Sequence, residues 1–241
     1  MRTRRLALLA VLAAAVIGLV LLGNWQLARR QWKLALIERV ERHLAAPPVP
    51  APGPAEWPAI SRDDAYRRLR AEGVFVHGQE TCTKAVTERG PGCWVITPLQ
   101  LADGNLLLVN RGFVDDAHRD PATRAAGQVA GTVTVTGLLR LSEPGGGFLR
   151  RNDPAGNRWY SRDVAAIAAA RGLPLDRVAP YFIDADAQAS VADGPVGGLT
   201  VIRFANSHLV YALTWYGLAL MVLAAIGMLL RTPASKSDIN G

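Results

Sequence analysis

The stretch His208–Leu230, HLVYALTWYGLALMVLAAIGMLL, constrains this chain most, because from Leu209 to Leu230 it carries no charged side chain. As a helix rising 1.5 Å per residue it covers about 33 Å, against roughly 30 Å for a bilayer's hydrocarbon core. It reads as a membrane span. A second apolar run, Leu6–Gly23, follows Arg2, Arg4 and Arg5, a pattern shared by secretory leaders and membrane anchors. Ala13-Ala14-Ala15 imitates a cleavage site, yet the run continues past it and ends in Gly23-Asn24-Trp25-Gln26, the composition of an interface. We therefore expect an uncleaved first span, with a removed leader as the alternative.

Flanking charge orients the pair. Arg2, Arg4 and Arg5 on one side and Arg231 and Lys236 on the other put both termini in the cytoplasm, while only Arg203 closely precedes the second span. Arg29, Arg30 and Lys33 lie just outside the first span and oppose this, but a long translocated segment weakens the charge rule. The 241-residue chain carries a net charge of +7 spread over 27 Lys+Arg. Without a dense basic block or zinc-type spacing, that charge implies no nucleic-acid partner; membrane lipid is the partner the spans require.

The chain then divides as follows. Residues 1–28 form the first transmembrane helix with its basic tip, and 29–46 a helical extension in which Trp32, Leu36, Val40 and Leu44 recur at helical spacing. Residues 47–60 are a linker that the proline density of Pro47–Pro58 keeps extended. Residues 61–205 are an extracytoplasmic domain, 206–231 the second transmembrane helix and 232–241 a cytoplasmic tail. Within the domain, Val95–Leu101 and Leu106–Val114 read as a hairpin about Ala102-Asp103-Gly104-Asn105, where Asp-Gly is a turn signal because both central residues can take positive φ. Thr132–Gly137 alternates as a half-buried strand, and Tyr181–Ile183 is a last strand candidate. One short helix, Arg162–Arg171, is expected to be capped by Ser161 and stopped by Gly172. The fold class is thus two transmembrane helices flanking an α+β domain, mainly antiparallel sheet able to curl toward a barrel, with one short helix.

Chemistry-bearing patterns are scarce. Gly145-Gly146-Gly147 follows a proline without the helix start that a phosphate site needs and reads as a flexible loop. His43, His77 and His118 are far apart and read as ordinary polar residues, and Asp115, Asp116 and Asp120 as a solvated loop. Asn110-Arg111-Gly112 reads as a structural strand end, with Gly112 permitting a bulge or a close backbone approach. Cys82 and Cys93 have neither redox C-x-x-C nor zinc spacing; we expect a disulfide across a hairpin, with two free thiols and a thiol-disulfide enzyme as the alternatives. His208, Tyr211 and Trp215 fall on one helical stripe at i, i+3 and i+7. Either that stripe is an aromatic belt at the headgroup level, or it is a site where a neutral imidazole ligates a metal.

Taken together, Gly23–Lys33 (GNWQLARRQWK), Thr97-Pro98-Leu99, Val109–Val114 (VNRGFV), Asn152-Asp153-Pro154, Trp159-Tyr160 and Asn206–Trp215 (NSHLVYALTW) make a specific order and spacing. With them the chain resembles the Surfeit locus protein 1 (Surf/Shy) family of cytochrome c oxidase assembly factors nearly end to end. The cysteine pair lies outside the family pattern. The resemblance implies a non-enzymatic protein of the bacterial inner (plasma) membrane, two-pass, with its central domain periplasmic. It also implies transient binding of haem a, with the position of His208 as the proposed iron ligand. The large subunit of cytochrome c oxidase is the implied partner, with haem a synthase as a further candidate. An antiparallel helix pair would bring Trp25 to the level of His208, so that Trp25, Tyr211 and Trp215 flank a porphyrin at the interface. A membrane-anchored interaction domain that acts without haem is the alternative.

Overall fold

The computed structural model describes residues 2–190, 192–202 and 204–231; the basic flank at Arg203 and the tail 232–241 with Lys236 lie outside them. In chain order the elements are α1 (Arg2–Ala45), β1 (Val49–Pro50), β2 (Arg68–Phe75), β3 (Thr81–Thr87), β4 (Gly90–Leu101), β5 (Leu106–Asp115) and β6 (Thr132–Leu141). Then come β7 (Gly146–Gly147), β8 (Arg150–Arg151), α2 (Val164–Ala170), β9 (Val178–Ala185) and α3 (His208–Arg231), with short 3₁₀ turns between elements. Two units result. One holds α3 and α1 as far as Glu38; the other is Arg39–Ile202.

In the helical unit, both helices are long and apolar enough to cross a membrane. Leu6, Val11, Ile17 and Leu21 of α1 and Leu213, Leu220 and Met221 of α3 are exposed. Water would penalise such apolar girdles, whereas a bilayer rewards them.

The second unit is a closed barrel. Strand order runs β2, β6, β9, β5, β4, and β4 pairs back to β2 through Gly73–Leu101, Val74–Gln100 and Phe75–Leu99. Closure removes the unpaired edges that an open sheet would leave. All barrel pairings are antiparallel except β5 with β9, which is parallel; β1 and β3 extend the sheet beyond the ring, on β2 and β4 respectively. The inner face holds Leu69, Leu99, Leu107, Val109, Val135, Leu139, Tyr181 and Ile183. The outer face of β4, β5 and β9 is covered by α2 and Trp159, which bury Ile96, Leu108 and Phe182. With both faces buried, β5 opens on four consecutive apolar residues, Leu106–Val109, and does not alternate.

Local details depart from the sequence expectations. Helix α2 is capped by Asp163, whose carboxylate accepts from Ala166 N–H at 3.1 Å, and begins only at Val164. Ser161 is instead engaged with the 143–152 segment: its hydroxyl donates to Glu143 O at 2.6 Å and accepts from Asn152 Nδ2 at 3.0 Å. In the β4–β5 turn only Gly104 takes positive φ, because the Asp103 carboxylate accepts the Asn105 N–H at 3.0 Å and closes an Asx turn in place of a type I′ one. Gly145-Gly146-Gly147, expected as a loop, enters a small β7–β8 hairpin. The last barrel strand is longer than Tyr181–Ile183, spanning Val178–Ala185. The proline-rich stretch is extended and also tethered: Pro52 O accepts the Tyr181 hydroxyl at 2.8 Å and the Trp57 indole N–H at 2.9 Å.

Candidate functional site

Helices α1 and α3 run antiparallel, because their contacts pair rising numbers on one with falling numbers on the other. Lys33 lies 5.0 Å from the Phe204 ring, Gln26 meets His208, Asn24 meets Tyr216, and the Arg5 guanidinium donates to Leu229 O. Small residues set the spacing: Ala212 and Ala219 are buried, and a Cβ on Gly23 would come 2.5 Å from Tyr216 Cε1. With no hydrophobic driving force in lipid, such close packing and polar pairing are what hold helices together. The Tyr216 hydroxyl donates to Asn24 Oδ1 at 2.6 Å, about two turns along α3 from His208.

At the start of α3 His208 is half-buried, with its Nδ1 2.8 Å from Gln26 Oε1. An amide oxygen is an acceptor, so Nδ1 donates in this contact and Nε2 takes no part in it. Metal-bound histidines commonly have this arrangement, in which a hydrogen bond on one nitrogen fixes the tautomer and the ring while the other ligates. Trp215, two turns further on the same stripe, has its indole Nε1 buried without a hydrogen-bond partner, as does the amide oxygen of Asn206. Buried orphan donors are uncommon and call for an explanation such as a missing ligand. Tyr211 is 53% exposed and Trp25 58% exposed, so both retain the exposure of belt residues. Trp25 precedes the residue that holds His208, and a helical step of 100° turns it away from the Gln26 contact.

Sequence reasoning named His208 but missed Gln26, Asn24 and Tyr216. Their signal was present: two amide side chains directly at the end of an apolar run, where polar groups need partners.

No group of three or more His, Cys, Asp or Glu that could enclose a metal ion occurs among the described residues. His208 is thus a single imidazole donor, which would be enough to hold an iron whose other ligands came from a macrocycle. The donor chemistry at this site fits that group.

In the barrel unit, Cys82 on β3 and Cys93 on β4 form a disulfide, with Cys93 only 2% exposed. His43, His77 and His118 have separate partners: Ala65 O at 3.0 Å, Val129 O at 2.9 Å and Asp115 at 2.7 Å. Asp115 and Asp120 cap the turns that follow them, through His118 N–H and Ala122 N–H.

The buried charges were not foreseen. Arg111 donates to Gly127 O and lies 4.9 Å over the Phe75 ring, and its burial lowers its pKa against the opposing pull of Glu80. Arg124 forms a two-pronged ion pair with Glu80, the side chains being 1% and 6% exposed. Asp184 gathers Asn110, Arg140, Arg162 and Thr200 at 2.8–3.0 Å. Burial pushes the Glu143 carboxyl up, but Arg162, donating from Nε at 3.1 Å and from NH2 at 2.5 Å, outweighs it and holds the pKa below the ordinary 4.5. Asp184 and Glu143 balance Arg140 and Arg162, whereas Glu80 alone faces both Arg124 and Arg111. Gly112, at φ +132°, lets Phe113 exchange backbone hydrogen bonds of 2.9 Å with Val196, and a Cβ there would strike the Val196 carbonyl.

Comparison with known proteins follows the same outline. The model of the SURF1 family matches residues 13–220. The chain is 38% identical over 215 residues to Surfeit locus protein 1 of Homo sapiens, covering 82% of this chain and 69% of that protein. It is 37% identical over 215 residues to Surfeit locus protein 1 of Takifugu rubripes, covering 82% and 86%. To a SURF1-like protein of Monosiga brevicollis it is 38% identical over 233 residues, covering 91% and 86%.

Proposed function

Because this chain belongs to the SURF1 family, we propose that it is a non-catalytic membrane factor in cytochrome c oxidase assembly that binds haem a through His208 and assists its delivery to the large oxidase subunit. The observation that carries this reading is the His208–Gln26 hydrogen bond of 2.8 Å, which leaves Nε2 as the ligating nitrogen at the outer end of the helix pair. Tyr211 and Trp25 offer flat apolar surface beside it, and the half-buried Trp215 ring lies further along the same stripe. When bound, haem a would supply the iron and the redox chemistry of the future oxidase centre. The chain's own residues bind it and orient it, His208 from α3 and Gln26 from α1. Haem a synthase is a candidate donor.

The same reading places the chain in a bacterial inner membrane as a two-pass protein, both termini cytoplasmic and the barrel periplasmic. The Cys82–Cys93 bridge supports an oxidising compartment for the barrel. A haem-free interaction domain is the second reading, favoured by the outward exposure of Trp25 and Tyr211.

A pyridine haemochrome assay and absorption spectrum of the detergent-purified protein, expressed in a haem a-producing host, decide between them. His208→Ala should leave an inserted protein whose bound haem falls by more than the roughly tenfold that loss of an outer-shell partner costs. Gln26→Leu should retain more haem than His208→Ala with a shifted Soret maximum, because the imidazole remains but its orientation is lost. Full haem content and an unchanged Soret band in His208→Ala would reduce the stripe to an aromatic belt.

A further inference from the structure

The β7–β8 hairpin places Phe148 and Leu149 at its two-residue tip, 91% and 89% exposed. Leu149 sits at φ +56°, a left-handed conformation that glycine or asparagine adopts at lower cost. Exposure in water and backbone preference thus both disfavour leucine here. The next two residues, Arg150 and Arg151, are exposed and basic. Arg150 also borders a cleft of about 570 Å³ lined by Lys84, Val86, Arg119 and Tyr160, with Asp116 as its one acid. The Tyr160 ring lies 5.7 Å from the Lys84 ammonium and 5.4 Å from the Arg150 guanidinium, so one aromatic face organises cations from β3 and β8. Among the described residues, Lys84, Arg119, Arg150 and Arg151 form no ion pair. Val86, 85% exposed, adds a third apolar side chain to the patch.

We propose that the Phe148–Leu149 tip and the adjoining basic cleft are a docking site for an anionic phospholipid surface. The apolar side chains enter the headgroup layer, and Lys84, Arg119, Arg150 and Arg151 meet lipid phosphates. A two-residue apolar tip is far smaller than the roughly 800 Å² per partner of a stable protein interface, but it suffices for shallow lipid insertion when basic residues flank it. The inference rests on α1 and α3 spanning a membrane, because tethering then holds the patch near lipid at high effective concentration. It is independent of haem binding.

The test uses the full chain in nanodiscs, labelled without reductant so that the Cys82–Cys93 bridge stays closed and a single new thiol reacts. The fluorophore NBD is attached at Phe148→Cys or, as a control away from the patch, at Leu175→Cys, in discs of phosphatidylcholine with or without phosphatidylglycerol. Doxyl-labelled lipid should quench the probe at 148, more strongly in anionic discs, and leave the probe at 175 unaffected. One arginine at an anionic surface strengthens attachment about fivefold, so Arg150→Glu with Arg151→Glu should remove most of the quenching. Emission at 148 that is indifferent to doxyl lipid overturns the proposal. A blue shift that appears only when purified oxidase subunit is added also overturns it, and assigns the tip to a protein partner. Recovery of the protein without lipid in the disc preparation would refute the spanning of the membrane itself, and this site with it.

Discussion

Reduction of the Cys82–Cys93 bridge gives a quantity that can be worked out in advance. The two cysteines are 11 residues apart and lie on the already paired strands β3 and β4, Cys82 opposite Val95 and Cys93 opposite Lys84. Cross-linking therefore orders nothing new in the folded barrel and acts on the unfolded chain. The chain-entropy relation for a loop of that length gives about 2.8 kcal/mol at 25 °C. For a domain of this size that corresponds to a melting temperature lower by roughly 6–11 °C. Residual hairpin structure in the unfolded ensemble would reduce the effect, so about 2–3 kcal/mol is expected. The assay is urea unfolding of the detergent-solubilised protein with and without a phosphine reductant, following barrel tryptophan emission. The reduced form should shift its midpoint down, with a somewhat steeper slope because its unfolded chain is less compact. A change under about 0.5 kcal/mol, the size of an ordinary surface effect, would show that the bridge contributes nothing by loop closure. Thiol labelling of both cysteines in denatured, unreduced protein would remove the premise altogether.

Gly112→Val should destabilise the barrel by about 2–4 kcal/mol, through positive φ and a clash with the Val196 carbonyl; abundance on immunoblots should fall, and normal abundance with lost oxidase activity would instead mark a contact surface. Glu80→Gln leaves Arg124 buried without its counter-charge and should cost about 3–5 kcal/mol, largely recovered when combined with Arg124→Met; urea midpoints of the single and double variants measure both, and a near-neutral single variant would contradict the burial. Glu143 has a depressed folded pKa, so its pairing with Arg162 contributes stability that is complete above the ordinary carboxylate value of 4.5 and lost as pH falls through the lower folded value. Melting curves from pH 6 downward should therefore fall less steeply in Glu143→Gln than in the parent, and parallel curves would refute the assignment.

Much of this protein was legible along the chain because its signals are local or periodic. The run without charge from Leu209 to Leu230 can only be a helix long enough to span a bilayer, whatever packs against it. The β4–β5 hairpin follows from Asp103-Gly104 between apolar runs, and the apolar face of α2 at Val164, Ile167 and Ala168 from helical spacing. Local rules faltered where two chemistries competed for one position. Ser161 and Asp163 are both good caps, and only the tertiary demand of Glu143 O and Asn152 for the serine hydroxyl decided for Asp163.

Barrel closure, the parallel β5–β9 pairing and the burial of Arg111, Arg124 and Asp184 have no local signature, because each depends on strands separated by tens of residues meeting in register. The candidate site divides along the same line. The sequence by itself determined that an imidazole stands at the mouth of a span. That the imidazole is held through Nδ1 by Gln26, with Nε2 left to bind, was decided only when residues 26 and 208 were brought together by antiparallel packing over Gly23, Ala212 and Ala219. A hydrogen bond between residues 182 positions apart is a property of the packed pair and is encoded in neither helix alone.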